Sequence, residues 1–385
     1  MVKFAHMSDV HLGGWKQKPL QDLNFQSFQK AINLCIFERV EFLLIAGDLF
    51  DAAYPPIEIL KETFAEFKKL KESGIPCFLI SGSHDYSVSG KTFLDVLEKS
   101  GFCKNVSIFE DDGKIITLKP TRYNNTVIYG YPGKKSGLDV SDLKRIKLED
   151  SIGFKILMLH TTIDKVVGNL PIEYVEADSL PYADYCALGH IHVKMKYKNF
   201  VYPGPIFPNN FAELEELNNG SFSIYDSSIP NPFRRIELEI KGVEKIEVEV
   251  NDGITATEKI ISEINKRDVK DKIVLLRITG ELENSQTSNI KFNQIEDFAK
   301  QKEVYFLLKN TNKLKNKEIE IESEIEKSEN IEEETIKIYS QQNPSSFDYK
   351  IEQLINSLSI EKQEGETSET FSSRIVDESK KILNF

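Results

Sequence analysis

The chain has 385 residues, 40% hydrophobic and 29% charged, and a formal net charge of −12. Single cores rarely grow past roughly 250 residues, so two or three globular domains are expected; no run approaches the ~20 apolar residues that cross a bilayer, and residues 1–4 lead into a strand pattern without a signal peptide, so no membrane association and a cytoplasmic location are expected. Residues 317–337 hold nine Glu against three Lys, about half of the net charge, so the remaining chain is only mildly acidic and a nucleic-acid partner is not excluded.

In chain order, apolar runs rich in β-branched and aromatic residues predict strands over 2–7, 42–46, 76–81, 126–131, 155–159 and 185–188. Apolar positions at helical spacing predict helices over 23–39 and 56–72, the second carrying Leu60, Phe64, Phe67 and Leu70. Strand, helix and strand in succession imply a layered α/β domain. After a Pro-rich loop over 202–208 and a strand over 221–225, a smaller α+β unit is expected from about residue 235, opening with strands 236–240 and 244–250 and followed by a helix over 257–266 and a strand over 272–279. Residues 313–344 read as a charged linker, with the Glu-Ile alternation of 318–326 solvated rather than paired. Phe347, Ile351, Leu354, Ile355 and Leu358, then Phe371, Ile375 and Ile382, predict two amphipathic helices that form no core alone and so suit docking. Cys35, Cys77, Cys103 and Cys186 are widely separated and read as core residues.

Five of the six histidines stand in polar clusters, each placed where an apolar run stops: Asp9-x-His11, Gly47-Asp48-x-x-Asp51, Gly82-Ser83-His84-Asp85, His160 and Gly189-His190-x-His192. The carboxyl ends of strands are where open α/β sheets bind ligands, so the clusters converge on one edge. Histidines beside carboxylates are donors for a divalent metal. A two-metal centre needs one carboxylate shared by both ions, and Asp48, after a glycine that lets backbones approach, suits that role. Asp9 with His11, and His190 with His192, lie two apart and face one side of an extended chain. His6, inside the first strand, reads as structural, and Asp51 as a partner of the site or a turn residue rather than a ligand.

On these residues, from Asp9-Val10-His11-Leu12-Gly13 and Gly47-Asp48-Leu49-Phe50-Asp51 to Gly189-His190-Ile191-His192, the first 225 or so residues resemble the calcineurin-like metallophosphoesterases. Among these, the chain is similar to the DNA double-strand-break repair nucleases of the meiotic recombination eleven (Mre-eleven)/SbcD family. The resemblance implies a layered β-sandwich domain flanked by helices (1–234), a small DNA-binding α+β cap (235–312), the linker, and a helical tail (345–385). It implies two Mn2+ ions per subunit, one held by Asp9, His11, Asp48 and His192 and the other by Asp48, His160 and His190. Ser83, whose hydroxyl is a weaker oxygen donor to the second ion than an amide carbonyl, stands where the family usually has Asn. His84 is implied as the catalytic donor to phosphate or leaving group, with Asp85 orienting its ring.

The implied activity is Mn2+-dependent 3′ to 5′ exonuclease and single-strand endonuclease cleavage of DNA ends. The implied partners are a Rad-fifty-type SMC-like ATPase, held by the C-terminal helices, and a second copy of the chain, held by the helices around Leu60 to Leu70 and Phe93 to Leu97. Lys134, Lys135, Lys144, Arg145 and Lys147, with Lys194, Lys196 and Lys198, are candidate phosphate contacts, and Tyr86 and Phe207 candidate base stackers. Two other functions fit the same ligand set: a phosphodiesterase for small phosphoesters, and a weakly active metal-bound scaffold for DNA ends.

Overall fold

The structure, a computed structural model, describes residues 1–85, 87, 92–134, 138–168, 172–283, 285–316, 350–358, 360 and 368–383. The chain divides into two compact units, residues 1–316 and 317–385. In the first, β1 (Lys3–Met7), β2 (Phe42–Ala46) and β3 (Cys77–Ile80) are apolar runs buried on both faces. They pair in parallel because the helices α1 (Lys18–Phe37) and α2 (Ile57–Glu72) cross over between them. Helix α1 begins five residues before its expected start, with Pro19 in the first turn, where its missing N–H costs nothing.

The first sheet is completed by β4 (Lys104–Asn105) on one edge and by β14 (Gly220–Asp226) and β15 (Phe233–Leu238), both antiparallel, on the other. The second sheet runs β12 (Lys194–Tyr197), β13 (Phe200–Pro203), β11 (Tyr185–Gly189), β10 (Phe154–His160), β8 (Thr126–Tyr131) and β7 (Thr121–Tyr123). Phe4, Phe42, Leu44, Ile128, Met158 and Ala187 fill the space between the sheets, and each large apolar side chain fully buried there contributes about 1.5–3 kcal/mol. Successive residues of a strand face opposite sides, so Ala5, Met7, Leu43 and Ile45 pack outward under α1, α2 and α3 (Phe93–Lys99). The outer face of the second sheet is covered by β5 (Phe109–Asp111), β6 (Ile116–Leu118) and β9 (Ile146–Leu148) with α4 (Leu138–Leu143), and the short α5 (Asp164–Val167) follows β10.

The expected opening strand of the smaller unit is instead β15, an edge of the first sheet: Arg235 lies opposite Ser223, so the backbone groups of β14 are satisfied there. The smaller unit itself is β16 (Val243–Glu249), α7 (Gly253–Asn265), β17 (Ile273–Leu282), α8 (Phe292–Gln301) and β18 (Phe306–Asn316), with all three strands parallel. A parallel sheet needs cover on both faces. One face lies under α7 and α8, and on the other Ile273 and Leu275 share a buried cluster with Trp15, Leu20, Phe207 and Leu214. Phe207 is therefore core, not a base stacker. Strand β18 runs to Asn316, opposite Leu282, four residues into the segment expected to be linker. The remainder of that linker, Phe347, Tyr86 and Lys135 lie outside the described residues.

In the second unit, α9 (Ile351–Leu358) and α10 (Ser368–Leu383) occupy the two expected helical segments, and Phe371, Ile375 and Ile382 are half-buried along one side of α10. Of the helical residues expected to form a dimer face, Leu60, Phe67, Leu70, Leu94 and Leu97 are buried in the chain's own core. Among the described residues, Tyr54, Ile57 and Val96 are the exposed apolar side chains of that region. Cys35, Cys77 and Cys186 are buried and Cys103 is half-buried, all as free thiols. No helix among the described residues is long and apolar enough to cross a membrane.

Candidate metal centre

The polar clusters follow β1, β2, β3, β10 and β11 at their carboxyl ends, where the chain leaves the sheets. The turns after β1 and β2 are laced together: Asp9 N–H donates to Gly47 O (3.1 Å), and the N–H groups of Val10 and His11 share Asp48 O (2.8 and 3.0 Å). This geometry requires unusual backbone. Asp9 (φ 51°), His11 (46°), Asp48 (51°) and His190 (98°) all lie at positive φ, a region uncommon outside glycine that costs on the order of 1–3 kcal/mol per residue. Side-chain hydrogen bonds offset part of that cost. Asp9 Oδ1 accepts His190 N–H (2.8 Å), Asp9 Oδ2 accepts the Ser8 hydroxyl (2.6 Å), and Asp48 Oδ1 accepts His84 N–H (2.8 Å). Two glycines are fixed by space: a Cβ on Gly47 would stand 2.2 Å from His160 Nδ1, and one on Gly82 2.2 Å from Asp48 Oδ1.

Three histidines share one arrangement. His160 Nδ1 lies 2.8 Å from Ala46 O, His11 Nδ1 3.0 Å from Asp51 Oδ1, and His192 Nδ1 2.9 Å from Glu213 Oε1. Each Nδ1–H is thus assigned as a donor, and each Nε2 turns inward. His11 Nε2 and His192 Nε2 face each other at 3.1 Å, His192 Nε2 is 3.8 Å from Asp9 Oδ1, and His160 Nε2 is 3.1 Å from Asp48 Oδ2. Although close to that carboxylate, the buried His160 Nε2 has no hydrogen-bond partner with acceptable alignment. Ligating histidines characteristically anchor the other ring nitrogen on a carboxylate or carbonyl, which is the arrangement seen three times here. Donor atoms of Asp9, His11 and His192 lie within 4.8 Å of one another, as do those of Asp9, Asp48 and His160. The donor set fits divalent metal ions.

The charges agree. Burial works against the ionised Asp48, but His160 and His11 outweigh it and hold its carboxyl well below the usual range. Burial likewise opposes charge on His160 and His192, yet Asp48 pushes the first ring up, and Glu213 the second. Positive charge is stabilised where the Nε2 atoms converge, and a metal ion competes there with the proton.

The remaining residues of the site divide. Ser83 Oγ lies 3.4 Å from Asp48 Oδ2, and the exposed His190 stacks its ring edge-on against His160 at 5.1 Å. His84 is exposed like His190, with 46% of its side chain accessible, and its Nδ1–H meets Asp51 O at 2.8 Å. Asp85 does not orient that ring. Its buried carboxylate accepts N–H groups from Phe50 (3.0 Å), Leu49 (3.2 Å) and Gly82 (3.0 Å), tying the turn after β3 to the turn after β2. The reason is distance from solvent: three converging N–H donors in a dry pocket need an anion more than an exposed imidazole does. Burial and the nearby Asp48 push its carboxyl up to about 6.

Asp51 Oδ1 lies 3.0 Å from His11 Nδ1, and His6 is buried with its Nδ1 3.1 Å from Tyr185 Oη. Glu213 and Asn209 were not legible as site residues. In the structure Asn210 caps the helix that carries Glu213, its side chain accepting Glu213 N–H. Among the candidate phosphate contacts, Lys134 is paired with Asp142 (2.5 Å), Lys194 with Glu237 (2.5 Å), Arg145 with Asp111 and Asp142, and Lys198 with Asp178. Lys196 rests over the Phe233 ring at 5.7 Å.

A two-sheet α/β sandwich with histidine and carboxylate donors at its strand ends defines a metal-dependent phosphoesterase. The calcineurin-like phosphoesterase profile matches residues 2–194, and the chain belongs to that family. Within it the chain is similar to the DNA double-strand break repair protein Mre11 of Methanocaldococcus jannaschii, 26% identical over 313 residues covering 77% of each chain. The Mre11 protein of Archaeoglobus fulgidus is 26% identical over 305 residues, covering 72% of this chain and 68% of that one. An uncharacterized metallophosphoesterase of Bacillus subtilis, YhaO, is 29% identical over 247 residues, covering 60% of this chain and 58% of its own.

Proposed function

We propose that this phosphodiesterase is a DNA repair nuclease that cuts phosphodiester bonds with two Mn2+ ions. The observation that carries the chemistry is the convergence of three histidine Nε2 atoms on Asp9 and Asp48. The choice of DNA rests on the similarity to Mre11, whose 77% coverage of this chain exceeds what residues 2–194 can supply and so reaches into the smaller sheet. In this reading Asp9, His11, Asp48 and His192 would hold one ion, and Asp48, His160 and His190 the other, with Ser83 offering a hydroxyl donor.

The chemistry such a pair supplies when bound is Lewis-acid stabilisation of the phosphate and of charge on the leaving oxygen. The chain does the rest. With Nδ1–H spent on Asp51 O, His84 as an imidazolium has its Nε2–H for the substrate, where it gives that proton to the leaving oxygen or a hydrogen bond to the phosphate. Asp85 keeps the turn that carries His84 seated against Leu49 and Phe50. Residues 243–316 act as the DNA-binding cap, α9 and α10 as the docking element for a Rad-fifty-type ATPase, and the face around Tyr54, Ile57 and Val96 as the contact with a second copy.

The test is incubation of end-labelled DNA with Mn2+ beside an Asp48→Ala control. Degradation by the wild type alone supports the nuclease. Intact DNA together with turnover of bis(p-nitrophenyl) phosphate identifies a small-phosphoester enzyme, and no turnover of either despite bound metal identifies a scaffold.

A further inference from the structure

Helix α6 (Phe211–Leu217) touches two parts of the molecule at once. Glu213 Oε1 meets His192 Nδ1 at 2.9 Å, and Glu213 Oε2 accepts Asn209 N–H at 2.7 Å. Asn209 in turn reaches Asp51 Oδ1 at 3.4 Å, the same oxygen that anchors His11 Nδ1. One residue on, Leu214 is fully buried in the cluster with Ile273 and Leu275 of β17. The next, Glu215, makes a two-pronged bond with Arg277 of β17, Nε to Oε1 at 3.0 Å and Nη2 to Oε2 at 2.6 Å. The Arg277 guanidinium also covers the Phe211 ring at 5.1 Å, one turn before Glu215. Paired prongs of this kind fix orientation as well as distance.

We propose that α6 is a coupling element: Glu213 is a positioning residue that sets two of the three inward-facing histidines, His192 and His11, and the Glu215–Arg277 latch makes that setting depend on how the β16–β18 sheet is seated. The consequence is that a ligand displacing the smaller sheet changes metal affinity without touching a metal ligand. A packing role alone would give α6 its buried Leu214. It would not need a carboxylate on each side of that leucine, one aimed at each domain.

The proposal rests on His192 holding a metal, and the test separates the two. Mn2+ uptake by the full chain is titrated by electron paramagnetic resonance, which reads the free ion, beside thermal unfolding of the metal-free protein. Glu213→Ala should weaken Mn2+ binding by about 10–100-fold, the range for lost partners of metal-ligating histidines, with little change in metal-free melting temperature. Glu213→Gln, which keeps an oxygen acceptor, should recover part of the loss. Arg277→Gln should weaken Mn2+ binding by a smaller factor, and add little when Glu213 is already Ala. Wild-type affinity in Glu213→Ala overturns the positioning role, and multiplicative effects in the double variant overturn the coupling through α6. A wild type that takes up no Mn2+ overturns the metal-centre reading and the coupling with it.

Discussion

Replacing Gly47 by alanine tests the packing of the centre with one methyl group. At φ +90° the backbone of Gly47 is strained for alanine by about 1–2 kcal/mol. The new Cβ would also stand 2.2 Å from His160 Nδ1, 2.7 Å from His160 Cγ and 2.9 Å from Gly82 Cα, so the ring must move. Inserting a carbon into a packed interior costs about 1–3 kcal/mol, and losing the bond from His160 Nδ1 to Ala46 O adds about 1 kcal/mol. Gly74 gives a matched control, because its φ is +73° and a Cβ there meets nothing within 4 Å. Gly74→Ala should therefore show the backbone cost alone. The assay is urea unfolding of the metal-free protein with a parallel Mn2+ titration. Gly47→Ala should be less stable than Gly74→Ala by about 2–4 kcal/mol, from the packing and hydrogen-bond costs together, and should lose high-affinity metal binding. Equal urea midpoints in the two variants, with metal binding intact in both, would refute the argument that His160 is seated by the missing side chain at Gly47.

His84→Asn should bind Mn2+ as the wild type does while the cleavage rate falls by about 10²–10⁴-fold; parallel loss of metal in a binding titration would make His84 a ligand instead. Asp85→Asn should destabilise the metal-free protein by about 1–3 kcal/mol for each buried N–H left unpaired, read as a lower urea midpoint, because an amide cannot accept three donors with both of its terminal atoms. Burial, partly opposed by Asp9, lowers the His6 pKa to about 3 from an ordinary 6.5, so the unfolded chain takes up a proton there before the folded one does. The stability that His6 contributes is thus complete above pH 6.5 and lost as pH falls toward 3, at up to about 1.4 kcal/mol per pH unit. Urea unfolding at pH 7, 5.5 and 4.5 should show a shallower acid loss in His6→Gln than in the wild type, and identical slopes would count against the neutral buried imidazole.

The candidate donor array was legible because chemistry and period coincide: Asp9, Asp48, His160 and His190 each stand where a short apolar run ends, and strand ends announce themselves in that way. The short strands over Thr121–Tyr123 and Lys194–Tyr197 were not, because three or four half-buried residues carry too little alternation to separate them from loop. Strand β15 was found but given to the wrong sheet, since its sequence states that it pairs and not with what. The same limit hid Glu213. In Phe211-Ala212-Glu213-Leu214-Glu215-Glu216 nothing local distinguishes the carboxylate that meets His192 from the one that meets Arg277. Lys134 and Lys194 looked like phosphate contacts for the converse reason, their partners Asp142 and Glu237 being 8 and 43 residues away.

The positive φ angles of Asp9, His11, Asp48 and His190 bear on how this chain can change over generations. Asn, Asp and His are the non-glycine residues that visit that region most readily, and Asp and His are the two found at these four positions. A lineage that abandoned catalysis would be freed from the demand for donor atoms but not from the demand of the turns. Drift at these four positions is therefore channelled toward Asn and Gly rather than toward apolar or β-branched residues. A descendant with asparagines there would keep the outline of the centre long after its activity had gone.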